Sequence, residues 1–148
     1  MTQQRTRLEN TFPKLRTTVY NVASPRDTDY NCIAFAAGED DVWWWPDQSG
    51  LYYWPPTIPR NEAVESFIQA FATIGYEPCA NGELEQSFAK IALYAENNIV
   101  KHVAKQIDDG LWCSKLGTWE DINHELEGLT GSSYGNVLMF LRRPSASL

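Results

Sequence analysis

Histidine, cysteine and positive charge are all scarce in this chain. It has two histidines and three cysteines among 148 residues, and 12 Lys and Arg against 19 Asp and Glu, for a net charge of −7. With no basic cluster larger than Arg142-Arg143, that balance argues against phosphate-backbone binding, and no nucleic-acid partner is expected. No apolar run reaches membrane-spanning length, so no membrane partner is expected either. The first residues, Met1 to Glu9, lack the apolar stretch of a secretion signal. Cys32, Cys79 and Cys113 are too widely spaced for a disulfide framework, which predicts a reducing, cytoplasmic location. Cys32, Cys79, His102, Cys113 and His124 are all soft ligands, but the close Cys or His pairs that anchor structural zinc are missing. No metal site is expected, and no cofactor is implied.

What is present is apolar and aromatic. A hydrophobic share of 43% and an aromatic share of 13% mark a globular chain able to bury a core. Residues 1–16 read as a polar N-terminal lead-in, and 17–144 as a single domain. Thr17 to Val22 predicts a short strand. Asp29 to Gly38 predicts a helix capped by the Asp and stopped by the Gly. Val64, Phe67, Ile68, Phe71 and Ile74 recur at helical spacing between the cap Asn61 and the stop Gly75. Strands follow at 88–94, 99–107, 111–115 and 137–141, with turns at Asn97-Asn98 and Asp109-Gly110. Thr118-Trp119-Glu120-Asp121 reads as a capping box opening a helix striped by Trp119, Ile122, Leu126 and Leu129. The expected architecture is α+β: an antiparallel sheet of about four strands with helices packed on one face.

Chemistry centres on Cys32. In the first turn of a helix capped by Asp29, free N–H groups and the positive helix end favour a thiolate. His102 follows on a strand, where a neutral imidazole can act as base and return a proton to a leaving group. A third polar group would fix the ring. If the hairpin loop is Asp109-Gly110 alone, His102 lies opposite Gly117, close to Asp121 and Glu120, and Asp121 is taken as the orienting residue. Ser114 is a further support, and Asn31 with the Cys32 N–H is a candidate oxyanion pocket. His124 falls opposite the apolar stripe of its predicted helix, on a solvated face or at the rim of the site. A core role for Cys32 stands beside the catalytic one, since free cysteine is among the most buried residue types.

Several stretches carry a resemblance: Tyr30-Asn31-Cys32-Ile33-Ala34-Phe35-Ala36, Lys90-Ile91-Ala92-Leu93-Tyr94-Ala95, His102-Val103-Ala104-Lys105-Gln106, Gly110 to Gly117, Glu120 to His124, and Tyr134-Gly135. Over residues 19–144 these resemble a bacterial domain of unknown function, which implies no activity. The order of elements is also similar to that of papain-like folds, including cell-wall amidases and transglutaminase-like domains. That likeness implies a papain-like sheet and a cysteine hydrolase. The chain departs from it in following the cysteine with Ile33-Ala34-Phe35 and in carrying Arg26 where papain relatives have an oxyanion glutamine.

Residues 39–60 show neither helical nor strand period, yet Trp43, Trp44, Trp45 and Trp54 fall there, four of the six tryptophans. They roof the core, line a substrate cleft, or anchor a protein partner. The expectation is a cysteine-dependent hydrolase or acyltransferase acting on an amide or thioester bond of a peptide, protein or small acyl substrate. The rival is a non-catalytic protein-binding module using residues 39–60.

Overall fold

The computed structural model describes residues 3–24, 44–107, 109–116 and 121–144. It opens with helix α1, Gln3–Thr11, and a 3₁₀ turn, Pro13–Thr17. Leu8, Phe12 and Leu15 recur at helical spacing in this polar stretch and are buried, so the lead-in is tied to the core. Strand β1, Tyr20–Ser24, follows, and after it helix α2, Val64–Ala72, inside the span that its apolar stripe predicts. The remaining strands are β2 (Glu77–Cys79), β3 (Phe88–Glu96), β4 (Ile99–Gln106), β5 (Trp112–Lys115), β6 (Asp121–His124) and β7 (Asn136–Pro144). A second 3₁₀ turn, Leu126–Leu129, joins β6 to the loop before β7.

The seven strands among the described residues form one antiparallel sheet in the order β1-β6-β5-β4-β3-β7-β2. This overturns the expected α+β, papain-like layout of about four strands with helices on one face. Among the described residues there are two short α-helices, and both sheet faces are covered. On one face α2 and the aromatic loop pack against Ile91, Leu93, Val103 and Leu141. On the other, α1 and the two 3₁₀ turns pack against Ala92, Tyr94, Ala104, Trp112 and Ile122. Burial on both sides explains why Ile91 to Ala95 are buried without interruption, where a half-solvated strand would alternate. At one edge, β2 spans three residues, with Pro78 in the middle, paired among the described residues only to β7.

Two local departures move the site. The helix predicted from Thr118 is replaced, over its described part, by β6, because 121–124 pairs with β5 on one side and β1 on the other. Ile122 and His124 then share a face by the two-residue period of a strand. The β4–β5 hairpin also closes differently. Ile107 N–H donates to Leu111 O at 2.9 Å, so three residues, 108–110, make the connection, with Gly110 at φ 88°. A three-residue loop with a left-handed glycine is a common hairpin form. It shifts the register by one, Lys105 facing Cys113 and Gln106 facing Trp112, a register that counts back from His102 to Leu116 rather than to Gly117. The Asn97-Asn98 turn is as expected, both residues having positive φ (53° and 65°).

Candidate functional site

His102 projects from β4 onto the α1 face, where Tyr94 of β3 is its cross-strand partner. Its ring lies flat against Tyr134, with centroids 4.2 Å apart and planes within 2°, and Tyr94 meets it edge-on at 5.5 Å. The residue is 0% exposed, and among the described residues neither ring nitrogen has a hydrogen-bond partner. Burial, and then the nearby His124, hold its pKa well below the usual histidine value, so the ring is neutral.

His124 of β6 lies on the same face and is fully buried, where a solvated face or a position at the rim of the site was expected. Its Nδ1 lies 2.8 Å from the Glu125 carbonyl oxygen, and its Nε2 lies 2.7 Å from Ser114 Oγ. A carbonyl only accepts, so Nδ1 carries the proton and donates. Nε2 then presents its lone pair to the Ser114 hydroxyl, which donates to it. Burial pushes the His124 pKa down to about 4, with the Glu125 contact opposing the shift. The result is a fixed tautomer on a buried Ser–His pair. Tyr94 Oη donates to Leu126 O at 2.9 Å and ties the following 3₁₀ turn to the sheet.

Asp121 lies on the other face, opposite Lys115 in register and adjacent to Ile122, which faces the α1 side. The structure therefore brings Ser114 and His124 to the face that holds His102, and sets Asp121 apart from it. Cys113 shares the Asp121 face, where burial and then Asp121 push its thiol up to about 11, leaving it protonated and unreactive. Cys32, Asn31, Trp43 and Glu120 lie outside the described residues. Among the described residues no three His, Cys, Asp or Glu side chains gather as a metal site, and no helix is long and apolar enough to cross a membrane.

The aromatic loop divides in two. Trp44 and Trp54 are buried, Trp54 edge-on to Phe67 at 5.0 Å and Trp44 against Phe71 at 6.2 Å, and half-buried Trp45 also meets Phe67. Trp54 Nε1 donates to Pro59 O at 3.0 Å, so its one polar atom is satisfied. These rings roof α2. Beyond them Leu51, Tyr52 and Tyr53 are exposed at 75%, 38% and 47%. The Asp47 carboxylate shapes that tip, accepting from Ser49 Oγ, from the N–H groups of Leu51 and Tyr52, and from Arg60. The Ser49 bond first, then the backbone donors and Arg60, bring the Asp47 pKa down to about 2 despite partial desolvation.

The sequence points to His102 and Ser114, and offers His124 at the rim of the site, but gives neither its burial against Ser114 nor Tyr134 as a neighbour. The signal for His124 was its two-residue spacing from Ile122. No curated protein and no solved structure matches the chain. The model of a domain of unknown function, DUF7689, matches residues 21–142, most of the length, and the chain belongs to that family.

Proposed function

We propose that the protein is a cysteine-dependent hydrolase or acyltransferase in which His102 serves Cys32 as base. The observation that supports this reading is the state of the His102 ring: a neutral imidazole, fully buried, whose nitrogens find no partner among the described residues. Buried polar atoms are almost always hydrogen-bonded, because an unpaired one costs about 1–3 kcal/mol, and exceptions concentrate where chemistry is done. Cys32 and Asn31 enter from the sequence alone.

In the proposed reaction the Cys32 sulfur attacks the carbonyl carbon of an amide or thioester, and the thiol proton passes to His102. The carbon–nitrogen or carbon–sulfur bond then breaks as His102 gives that proton to the leaving amine or thiol. Water, or a second nucleophile, releases the acyl group from Cys32 with His102 again taking the proton. Asp121 has no part in orienting this ring, and the parallel Tyr134 ring takes that role.

The exposed Leu51, Tyr52 and Tyr53 favour a second reading, a protein-binding module whose loop tip docks a partner and whose Cys32 is a core residue. Iodoacetamide labelling of Cys32 against pH, read by mass spectrometry in wild type and His102→Asn, separates the two. Labelling well below the ordinary thiol pKa, slowed at least tenfold in the variant, is the expected result. A Cys32 that resists labelling in the native protein, or reacts alike in both, removes the thiol mechanism and leaves the docking module.

A further inference from the structure

Two tyrosines among the described residues meet the His102 ring, and Tyr134 lies parallel to it. We infer that Tyr134 is a positioning residue for charge: the face of its ring stabilises the imidazolium formed when His102 takes the Cys32 thiol proton, a role that rests on the reading of His102 as a base.

The proposed step creates a positive charge in a closed interior. The S–H bond of Cys32 breaks, its electron pair stays on sulfur, and the proton joins a lone pair of the imidazole. His102 is fully enclosed, and burial opposes that charge. Among the described residues no carboxylate bonds either nitrogen, and Asp121 lies on the other face of the sheet. The titratable groups beside the ring are Tyr94 from β3, Tyr134 from the turn before β7, and His124 from β6, which disfavours a second positive charge. What the geometry does supply is an aromatic face. Such a face is the negative part of the ring quadrupole and attracts a cation within about 6 Å, most strongly where water is excluded. The Tyr134 and His102 centroids are 4.2 Å apart with planes within 2°, so the imidazole is stacked on that face. A neutral imidazole gains packing there, whereas an imidazolium gains packing and the attraction of the face. Only that difference helps the proton transfer.

The ring is in place before any charge forms. Phe12, at the end of α1, packs on Tyr134 at 5.0 Å, and Tyr94 meets it at 6.2 Å. The turn that carries it is closed by two backbone bonds, Gly131 N–H to Gly135 O at 3.0 Å and Gly135 N–H to Gly131 O at 2.8 Å. A Cβ on Gly135 would strike the Ala95 carbonyl oxygen, so the turn sits directly on β3. Tyr94 is fixed in turn, its Oη donating to Leu126 O. A group held in this way needs no reorganisation as the proton arrives, which is what makes a fixed electrostatic partner effective in a dry site.

The test is an NMR titration of the two histidines in the whole chain, each labelled at the imidazole carbon between its nitrogens, run downward from neutral pH to the acid limit of the fold. Tyr134→Phe keeps the ring and its negative face and is expected to match wild type. Trifluorophenylalanine at the same position keeps the shape and loses the face. With it His102 is expected to bind its proton at least about threefold more weakly than with Phe. His124, held by Ser114 and Glu125, serves as the internal reference and should titrate alike in both. Should the fluorinated chain unfold, seen as both histidines titrating together, Tyr134→Leu carries the same expectation. Equal His102 midpoints with Phe and with the fluorinated ring overturn the inference, and so does a wild-type His102 that stays neutral down to the acid limit. The Cys32 alkylation experiment is separate: its failure removes the thiol mechanism, whereas the His102 midpoints alone decide what the Tyr134 face does.

Discussion

Around α2 the core is built of rings that satisfy one another through shape: Phe67, Phe71, Trp44 and Trp54 meet at centroid distances between 5.0 and 6.2 Å. On the α1 side, polar groups share the interior with Leu8, Phe12 and Ile122. There a directed bond settles each of several groups: Ser114 to His124, His124 to Glu125, Tyr94 to Leu126. An apolar interior tolerates exchange of side chains of similar volume, but a polar one depends on every partner being present. Among the described residues, His102 on the polar side has both ring nitrogens without a partner, and that gives the α1 side its functional interest.

The sharpest way to break the contrast is on the apolar side. Phe67→Ala removes a ring with 0% exposure that both Trp45 and Trp54 meet, and is expected to cost about 3–5 kcal/mol of stability. Urea unfolding followed by tryptophan fluorescence measures this loss; a cost below about 1 kcal/mol would mean that the rings do not share one packed cluster.

Acid attacks the other side. His124 is held neutral in the fold with a pKa of about 4, against about 6.5 in an unfolded chain. The stabilising contribution is complete above about 6.5, because only below that value does the unfolded chain take up a proton that the fold refuses. It declines as pH falls from there and is gone below the folded value. At 1.36 kcal/mol per unit this amounts to about 3 kcal/mol between pH 7 and pH 4, and His102 adds in the same direction. Urea titrations at stepped pH should show this slope in wild type and a shallower one in His124→Gln. Hydrogen exchange should quicken first in the elements packed on the α1 side.

Ser114→Ala leaves the buried His124 Nε2 without its donor and is expected to cost about 1–3 kcal/mol, less than the loss of the Phe67 ring. A cost equal to that of Phe67→Ala would erase the distinction between packing and bonding that separates the two sides. Leu51→Ser, at the exposed loop tip, should change stability by no more than about 0.5 kcal/mol. A larger effect would show the tip to be part of the core.

Helix α2 was legible because Val64, Phe67, Ile68, Phe71 and Ile74 repeat at one period and pack on one surface. The β3–β4 and β4–β5 hairpins were legible from their turn residues, Asn97-Asn98 and Gly110. Strand β6 was not, because Ile122, Leu126 and Leu129 fit a helical stripe as well, and pairing with β1 and β5 overrides local preference. One extra residue in the 108–110 connection was enough to misplace His102 by a position, and with it the choice of Asp121. His102 could be picked as a candidate from its scarcity and its strand. Its stacking on Tyr134 joins β4 to a turn thirty-two residues later, a contact that no local pattern encodes.

The shortest strand governs how the molecule meets copies of itself. A sheet margin with free N–H groups is a template on which further chains can polymerise. Strand β2 closes this margin with three residues and places Pro78, which has no N–H to offer, at the centre. A strand of three residues with Pro78 at its centre is a poor template for a further strand on that side.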